Sequence, residues 1–286
     1  MKRWRLEYPV QVMARVLEVS CSGFYAWLSR PPSERACEDE RLKVALRAAD
    51  RKTRSTYGAK RLQRELKAEG FEAGRDRIAR LRREMGMVCK QKRQFKATTQ
   101  SNHALPVAKN RLDQQFEAQA PNEVWHADIT YIPTGEGWLY LAGVKDQFTC
   151  EIVGYALGER MTQALVGQAL WQAIRYQRPR PGLIHHADRG SQYCAQDYQR
   201  LLEQHGLVAS MSRKGNCYDN APIESFWGSL KNELIYHRRY DTRAEAESSI
   251  QEYIEIFYNR QRRHSRLGYL APAVFVQNFC QRQGAV

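Results

Sequence analysis

From residue 123 onward, strand and helix patterns follow one another in an order that few folds accommodate. Three stretches of alternating apolar and polar residues come first, which is the period of half-buried strands. Helices and strands then alternate, and this combination predicts an α/β fold with a mixed five-stranded sheet and helices on its faces. In chain order the predicted elements are strands at 124–132, 137–146 and 150–158, a helix around 165–174, a strand at 182–187, a helix at 195–206, a strand at 207–212 and a helix from Asn220.

The N-terminal part of the chain has a different pattern, made of short helices. Residues 10–29 indicate two helices around a tight turn, a spacing similar to a helix-turn-helix unit, although many two-helix packings give the same pattern. A charged helix and a second helix pair follow. We therefore predict small all-α segments at 1–32 and 38–96, the second of them basic and DNA-binding, and a linker at 97–120.

The net charge of +14 is concentrated in that N-terminal part. Residues 1–120 hold 27 Lys and Arg against 14 Asp and Glu, whereas residues 121–286 hold 18 against 17. A one-sided excess of this kind points to a polyanionic partner, most simply nucleic acid, while a solubility role predicts an even spread. Either a solvated face or a DNA-contacting helix explains the arginines at 75–83, and their number favours contact. The residues predicted to contact DNA here are Arg75, Arg77, Arg80, Arg82, Arg83, Lys90, Lys92 and Arg93.

Hydrophobicity and cysteine content exclude several classes of protein. No apolar run approaches the roughly 20 residues that a membrane-spanning helix needs, so no membrane partner is expected. The seven cysteines are odd in number and contain no Cys-x-x-Cys pair, which argues against a disulfide framework or a cysteine zinc site. The composition predicts a cytoplasmic protein with reduced thiols.

Three acidic residues occupy positions that suit catalysis on phosphodiesters. Asp128 lies in the middle of the first predicted strand, Asp188 at the carboxyl end of the fourth, and Glu224 in the first turns of the last predicted helix. Two divalent metal ions about 3.5–4 Å apart activate a nucleophile and stabilise a leaving oxygen, and such ions prefer carboxylates. Each acid alone also has a structural explanation: a solvated strand face, a helix cap, or a favourable helix dipole.

The sequence around these acids is similar to a known family. The three blocks are WHADIT at 125–130, HADRGSQY at 186–193 and DNAPIESFW at 219–227, with 35 residues between Asp188 and Glu224. Together they resemble the DDE transposase and retroviral integrase superfamily, and within it the OrfB transposases of the bacterial insertion-sequence-three group. The block YNRQRRHSRLGY at 258–269 and the helix pair after Tyr57 also resemble that group, so the resemblance covers nearly the whole chain.

The resemblance implies a ribonuclease-H-like catalytic core at 121–240, which agrees with the predicted order of strands, and a helical, basic extension at 241–286. It implies that Asp128, Asp188 and Glu224 are the catalytic residues and bind two Mg²⁺ or Mn²⁺ ions. DNA cleavage and strand transfer would then be successive in-line displacements without a covalent bond between protein and DNA.

The resemblance also implies partners. DNA at the element ends and the target is expected, together with a homo-oligomer, the product of an upstream frame joined by frameshifting, and a place at the bacterial nucleoid. Lys231 lies two turns along the helix from Glu224 and is predicted to contact a DNA phosphate beside the site. Further DNA contacts are predicted for the tail arginines Arg260, Arg262 and Arg263, although a solvated charged end explains them as well.

Departures from the family pattern are small. Ala127 and Ala187 stand where relatives often carry a hydroxyl residue, and no His/Cys zinc module is visible at the N-terminus. His126 shares a strand face with Asp128, so it either touches the metal site or is a structural histidine, and the structural role is favoured. Two alternative functions stay open: a non-catalytic DNA-binding regulator derived from a transposase, and a ribonuclease-H-fold nuclease such as a junction resolvase.

Overall fold

The computed structural model describes residues 1–90, 107–112, 117–212 and 218–283 of the chain. The chain divides into two compact units. The first comprises Met1–Arg54 and Gly58–Val88, and the second comprises Ser55–Tyr57 and Cys89–Val286. Across the described ranges, no helix combines the length and the apolar character needed to cross a membrane.

The first unit is entirely helical. Ser20 and Ser33 each cap a helix, because their hydroxyls accept a hydrogen bond from the backbone N–H three residues later. Leucine and isoleucine side chains from the last three helices, among them Leu46, Leu62 and Ile78, are fully buried and form the core. After a 3₁₀ turn at Lys2–Trp4, the helices are α1 (Val10–Val16), α2 (Cys21–Ser29), α3 (Glu34–Lys52), α4 (Ala59–Ala68) and α5 (Arg75–Glu84).

The second unit is built on a five-stranded mixed sheet with the strand order β3-β2-β1-β4-β5. β2 runs antiparallel to both of its neighbours, while β1, β4 and β5 are parallel to one another. This is the ribonuclease-H-like arrangement predicted from the sequence. The strands are β1 (Val124–Thr134), β2 (Gly137–Asp146), β3 (Ile152–Gly158), β4 (Ile184–Ala187) and β5 (Val208–Met211).

Helices cover both faces of the sheet. They are α6 (Gln163–Gln177), α7 (Ser191–Cys194), α8 (Gln196–Gln204), α9 (Ala221–Glu233), α10 (Arg243–Glu252) and α11 (Pro272–Gln283), with a π-helical turn at Tyr253–Tyr258 and 3₁₀ turns at Tyr218–Asn220, Ile235–His237 and Ser265–Leu267.

Two apolar clusters, one on each side of the sheet, account for this arrangement. Trp125 and Ala127 of β1 pack with α6 and α8, whereas Ile132 of the same strand packs with α9 and α10. The alternation of residues along β1 thus sends successive side chains into different clusters. Because both faces are covered, β1 lies in the centre of the unit with a helix on each side.

Most predicted elements are confirmed, with differences at their ends. β2 has the predicted bounds, and β1 extends two residues further than expected. The helix predicted at 195–206 is confirmed as α8, whereas the single turn of helix before it, α7, was not predicted. The linker predicted at 97–120 lies mostly outside the described residues.

Candidate active site

Asp128 lies in the middle of β1 on the face that α9 covers. Its Cα pairs with that of Gly143 on β2, and its side chain is half-buried. Both carboxylate oxygens accept a hydrogen bond. Oδ1 accepts one from the backbone N–H of Ile129 at 2.8 Å, and Oδ2 accepts one from the indole N–H of Trp227 at 2.9 Å. The carboxylate is therefore held from both sides.

Asp188 follows β4 directly and lies beside Asp128. The parallel register pairs Ala127 with Ala187. Each aspartate directly follows one of these alanines, so Asp128 and Asp188 lie side by side. Neighbouring strands are about 4.8 Å apart, and aligned residues of parallel strands point to the same face. Oδ1 of Asp188 accepts a hydrogen bond from the backbone N–H of Gly190 at 2.8 Å, which fixes the turn after the strand.

Glu224 lies in the first turn of α9, with its side chain exposed. Two hydrogen bonds hold this turn over the sheet. The side-chain amide of Asn220 donates to the carbonyl oxygen of Ala127 at 3.2 Å, and Nζ of the buried Lys145 on β2 donates to the carbonyl oxygen of Pro222 at 2.6 Å. The start of α9 is thereby placed next to the strand position that carries Asp128.

The pKa of Asp128 depends on the charges of the other two acids. Burial, together with the negative charges of Asp188 and Glu224, raises the pKa of the Asp128 carboxyl from 3.8 to about 7. The hydrogen bonds from Ile129 and Trp227 oppose that shift. Like charges that crowd one region favour a proton or a cation between them. Carboxylate oxygens are also the ligands that Mg²⁺ and Mn²⁺ accept, so the donor set fits such ions.

The three acids do not form a finished ligand cage. Among the residues that the structure describes, no three His, Cys, Asp or Glu side chains are grouped so that they could hold a metal ion. Asp128 and Asp188 are fixed side by side on the sheet, whereas Glu224 approaches from the helix above with an exposed side chain. The arrangement is a set of oxygen donors contributed by β1, the end of β4 and one helix.

The histidines near the acids have structural roles in this fold. His126 is fully buried, and its Nε2 lies 2.6 Å from Oε1 of Gln147. Burial lowers the pKa of His126 to about 3, so the ring is neutral at physiological pH. His186 contacts the hydroxyls of Ser210 and Ser212 at 2.9 and 3.0 Å. The structural role that the sequence favoured for His126 agrees with these contacts.

Sequence reasoning missed two aromatic residues beside the acids. Trp227 lies in the block at 219–227 and was given no role of its own, yet its N–H contacts Asp128. Tyr193 on α7 is buried, and its hydroxyl has no hydrogen-bond partner among the described residues. Burial and the negative charges of Asp128 and Asp188 raise the pKa of Tyr193, which keeps it a neutral donor. Aromatic residues at helical spacing indicate a core, and nothing in that pattern reveals where a polar atom points.

Lys231 lies near the acids, as its position two turns after Glu224 predicted. Its Nζ is 5.1 Å from the ring centroid of Tyr131 on β1. Burial lowers the pKa of Lys231, while the negative charge of Asp128 acts in the opposite direction. A half-buried ammonium group beside the carboxylates is suitably placed for a phosphate, and the predicted DNA contact of Lys231 stays a prediction.

Arg262, which was predicted to contact DNA, is buried in this structure. The guanidinium is buried against Glu233 of α9, with Nη2 at 2.7 Å from Oε1 and the two side chains only 5% and 7% exposed. Nη2 also donates to the hydroxyl of Ser229, and the cation lies 5.7 Å from the ring centroid of Tyr258. Arg262 therefore attaches the tail to α9 and presents no charge to a ligand.

The neighbouring tail arginines differ in exposure. Arg260 is exposed, and Arg263 is half-buried with Nη1 donating to the carbonyl oxygen of Tyr269 at 3.1 Å. Arg260 therefore has the most accessible side chain of the three predicted contacts in the tail.

In the first unit, several of the predicted DNA-contacting arginines are engaged by carboxylates. Nε of Arg77 lies 2.7 Å from Oδ1 of Asp39 on α3, and Nη2 of Arg80 lies 2.6 Å from Oδ2 of the same residue. Arg75 pairs with Asp76 at 2.7 Å, but both side chains are largely exposed. Arg82 is half-buried, and its Nε has no partner among the described residues. Arg83 and Lys90 are exposed, and Lys92 and Arg93 lie outside the described residues.

Comparisons with known proteins agree with this architecture. Residues 118–217 and residues 205–272 match two family models described as integrase core domain, and residues 37–95 match a model described as HTH-like domain. The insertion element IS600 uncharacterized 31 kDa protein of Shigella sonnei is 62% identical over 269 residues, which cover 94% of this chain and 99% of that protein.

A second relative is the transposase InsF for insertion sequence IS3A of Escherichia coli, which is 42% identical over 277 residues that cover 96% of each chain. Among solved structures, the HTLV-2 integrase catalytic core domain in complex with magnesium (trimeric form) aligns with a TM-score of 0.45 and 16% identity. That alignment covers 56% of this chain and 99% of the other.

Proposed function

The chain belongs to the IS3 family of insertion-sequence transposases with an integrase core domain, and from that premise we propose that Asp128, Asp188 and Glu224 form the site at which it cuts and joins DNA. The convergence of these three acids carries the proposal. Two of them leave neighbouring strands at one level, and the charges of Asp188 and Glu224 both raise the pKa of Asp128.

The same residues are proposed to hold divalent metal. A site lined by carboxylate oxygens from β1, β4 and α9 suits Mg²⁺ or Mn²⁺. The negative charges of the acids repel one another, and bound cations would relieve that repulsion. Two bound ions would activate the attacking oxygen and stabilise the oxygen that departs. Metal binding in turn would draw the exposed Glu224 side chain toward the two aspartates.

The chain's own groups orient the DNA and align the acids. Ile129 and Trp227 hold the two oxygens of Asp128, so the carboxylate needs little rearrangement when the substrate arrives. Lys231 is proposed to bind a phosphate oxygen beside the scissile bond, and the exposed Arg260 is proposed to bind DNA backbone. Phosphate contacts of this kind weaken with salt, and they position the DNA on the protein without distinguishing base sequences.

The reaction then consists of two displacements at phosphorus. In the first, water attacks the phosphodiester at the element end and the 3′-hydroxyl of that end leaves. In the second, this 3′-hydroxyl attacks a phosphodiester of the target, and a target 3′-oxygen leaves as a hydroxyl. Each step forms one P–O bond and breaks one P–O bond, so no protein–DNA intermediate and no external energy source is needed.

The test uses labelled element ends, Mg²⁺ and the full chain, with and without the segment encoded by an upstream frame. Asp128→Asn, Asp188→Asn and Glu224→Gln are each expected to reduce cutting and joining by more than about 100-fold, since residues that only support a ligand already cost 10–100-fold. DNA binding measured by gel shift should persist. Asp197→Asn is the matched control, because this aspartate lies exposed on α8.

The outcomes separate three functions. Cutting and joining by the unaltered chain, lost in all three variants, supports the proposed site. If the chain hydrolyses DNA but does not join a pre-cut end to a target, it is a nuclease. If it binds DNA but does not nick it in the presence of metal, it is a regulator. Strand transfer by any of the three variants at a rate near that of the unaltered chain would contradict the assignment.

A further inference from the structure

The indole of Trp227 makes a specific polar contact with a proposed catalytic residue. Trp227 lies one turn after Glu224 on α9, and its Nε1–H donates to Oδ2 of Asp128 at 2.9 Å. The side chain is only 6% exposed, so water has little access to compete for this hydrogen bond. Charge-assisted hydrogen bonds to a carboxylate are stronger than neutral ones.

Packing fixes the direction of that N–H. The ring of Trp227 lies with its centroid 4.9 Å from that of Phe226, and its far edge lies over Gly143 on β2. A Cβ at Gly143 would lie 2.8 Å from Cη2 of Trp227, closer than carbon atoms approach each other. The position opposite Asp128 on the neighbouring strand is therefore compatible with this indole only when it carries no side chain.

An indole is well suited to this contact because it donates and cannot accept. Its N–H occupies a single lone pair of Oδ2, and a carboxylate offers about four such sites, so the remaining lone pairs stay available to a cation. Within the described residues, the second hydrogen bond to Asp128 comes from the backbone N–H of Ile129 and reaches the other oxygen. Without the indole, Oδ2 has no protein donor in the described part of the chain.

The contact also connects two of the three acids. Glu224 and Trp227 lie on the same helix, one turn apart, whereas Asp128 lies on the central strand. Asn220 and Lys145 hold only the first turn of that helix to the sheet. From this geometry we propose that Trp227 is a positioning residue that sets the orientation of the Asp128 carboxylate relative to Glu224. The proposal rests on the proposed function of the two acids.

The first test replaces the indole by a ring of similar shape without the N–H. Trp227→Phe is expected to reduce the kcat of strand transfer by roughly 10–100-fold, as loss of an outer partner of a metal-binding residue typically does. The Mg²⁺ concentration for half-maximal rate should rise several-fold. The KM for DNA and the gel-shift Kd should stay unchanged. Trp171→Phe is the control, because that indole lies half-exposed on α6 and its cation–π partner is Arg175.

A second variant keeps the N–H and moves the ring. Gly143→Ala displaces the indole, so it should lower kcat and raise the Mg²⁺ requirement in the same direction. Because both changes act on one contact, the double variant with Trp227→Phe should lose less than the product of the two single losses. Circular dichroism and thermal unfolding show which variants are folded. If Trp227→Phe does not fold, the kcat and Mg²⁺ requirement of Gly143→Ala test the role of the indole instead.

The results distinguish this proposal from the proposed function. If Asp128→Asn is inactive while Trp227→Phe keeps its rate and Mg²⁺ requirement, the role of Trp227 is refuted and the acids stand. An equal loss at every Mg²⁺ concentration would assign the indole a packing role only and would likewise overturn the proposal. If Asp128→Asn itself stays active, the failure belongs to the proposed function.

Discussion

Burial of Asp128 beside two further acids has a consequence for stability that is measurable without DNA. The folded protein holds the proton of Asp128 up to a pH of about 7, whereas an unfolded aspartate loses it near 3.8. The folded state therefore binds more protons than the unfolded state between these values, and its stability falls as the pH rises through that window. Asp128→Asn removes the titrating group, so its stability lacks this contribution.

The magnitude follows from the shift in pKa. One pKa unit corresponds to about 1.4 kcal/mol, so a shift of about three units gives an upper value of about 4 kcal/mol. Solvent screens a half-buried carboxylate, so we take about half of that, roughly 2 kcal/mol. The unaltered protein should therefore lose about 2 kcal/mol of unfolding free energy relative to Asp128→Asn between pH 4 and pH 7.

Urea unfolding of the full chain in the presence of EDTA measures this difference. Both proteins are followed by tryptophan fluorescence at several pH values between 4.5 and 7.5. Other shifted groups, such as Glu151, whose burial raises its pKa to about 7, are common to both proteins and cancel in the comparison. Parallel stability curves for the two proteins would refute the reasoning that burial and neighbouring charges keep Asp128 protonated.

Two further predictions concern residues around the site. Arg262→Ala should cost about 3–5 kcal/mol of unfolding free energy, because it removes the positive charge that pairs with the buried Glu233 carboxylate. The exposed Arg260→Ala should cost little stability, and equal stability of the two variants would contradict the buried role of Arg262. DNA affinity should fall steeply as the salt concentration rises. Lys231→Ala should reduce the slope of log Kd against log salt concentration by about the amount that one phosphate contact contributes. An unchanged slope for Lys231→Ala would argue against its phosphate contact.

The sheet and its helices were predictable because their patterns are local. Period-2 alternation in β1 and β2 and the apolar stripe of α6 depend on nearest neighbours in sequence, and the order of elements restricts the topology. Asp188 was expected at the carboxyl end of a strand, and the parallel pairing of β1 with β4 then places it beside Asp128. The four-residue helix α7 was not predicted, because a single turn is too short to show a helical period.

The sequence did not reveal the partners of charged and polar groups when those partners are distant in sequence. In the sequence, Arg262 looks the same as an arginine that binds DNA. In the structure it forms a buried ion pair with Glu233, which lies 29 residues upstream. Arg77 and Arg80 share Asp39, about 40 residues earlier in the chain. The contact of Trp227 with Asp128 spans 99 residues. Sequence patterns report which side of an element is apolar, and they do not report the partner of a polar atom on that side.

The central claim is that Asp128, Asp188 and Glu224 bind the metal ions that serve DNA cutting and joining. Diffraction from crystals of the protein with DNA and Mn²⁺, recorded at the manganese absorption edge, locates those ions directly. We expect anomalous peaks within about 2.5 Å of oxygens from Asp128 and Asp188, with Glu224 turned toward them. Ordered DNA at the site with manganese peaks only elsewhere on the chain would contradict the account.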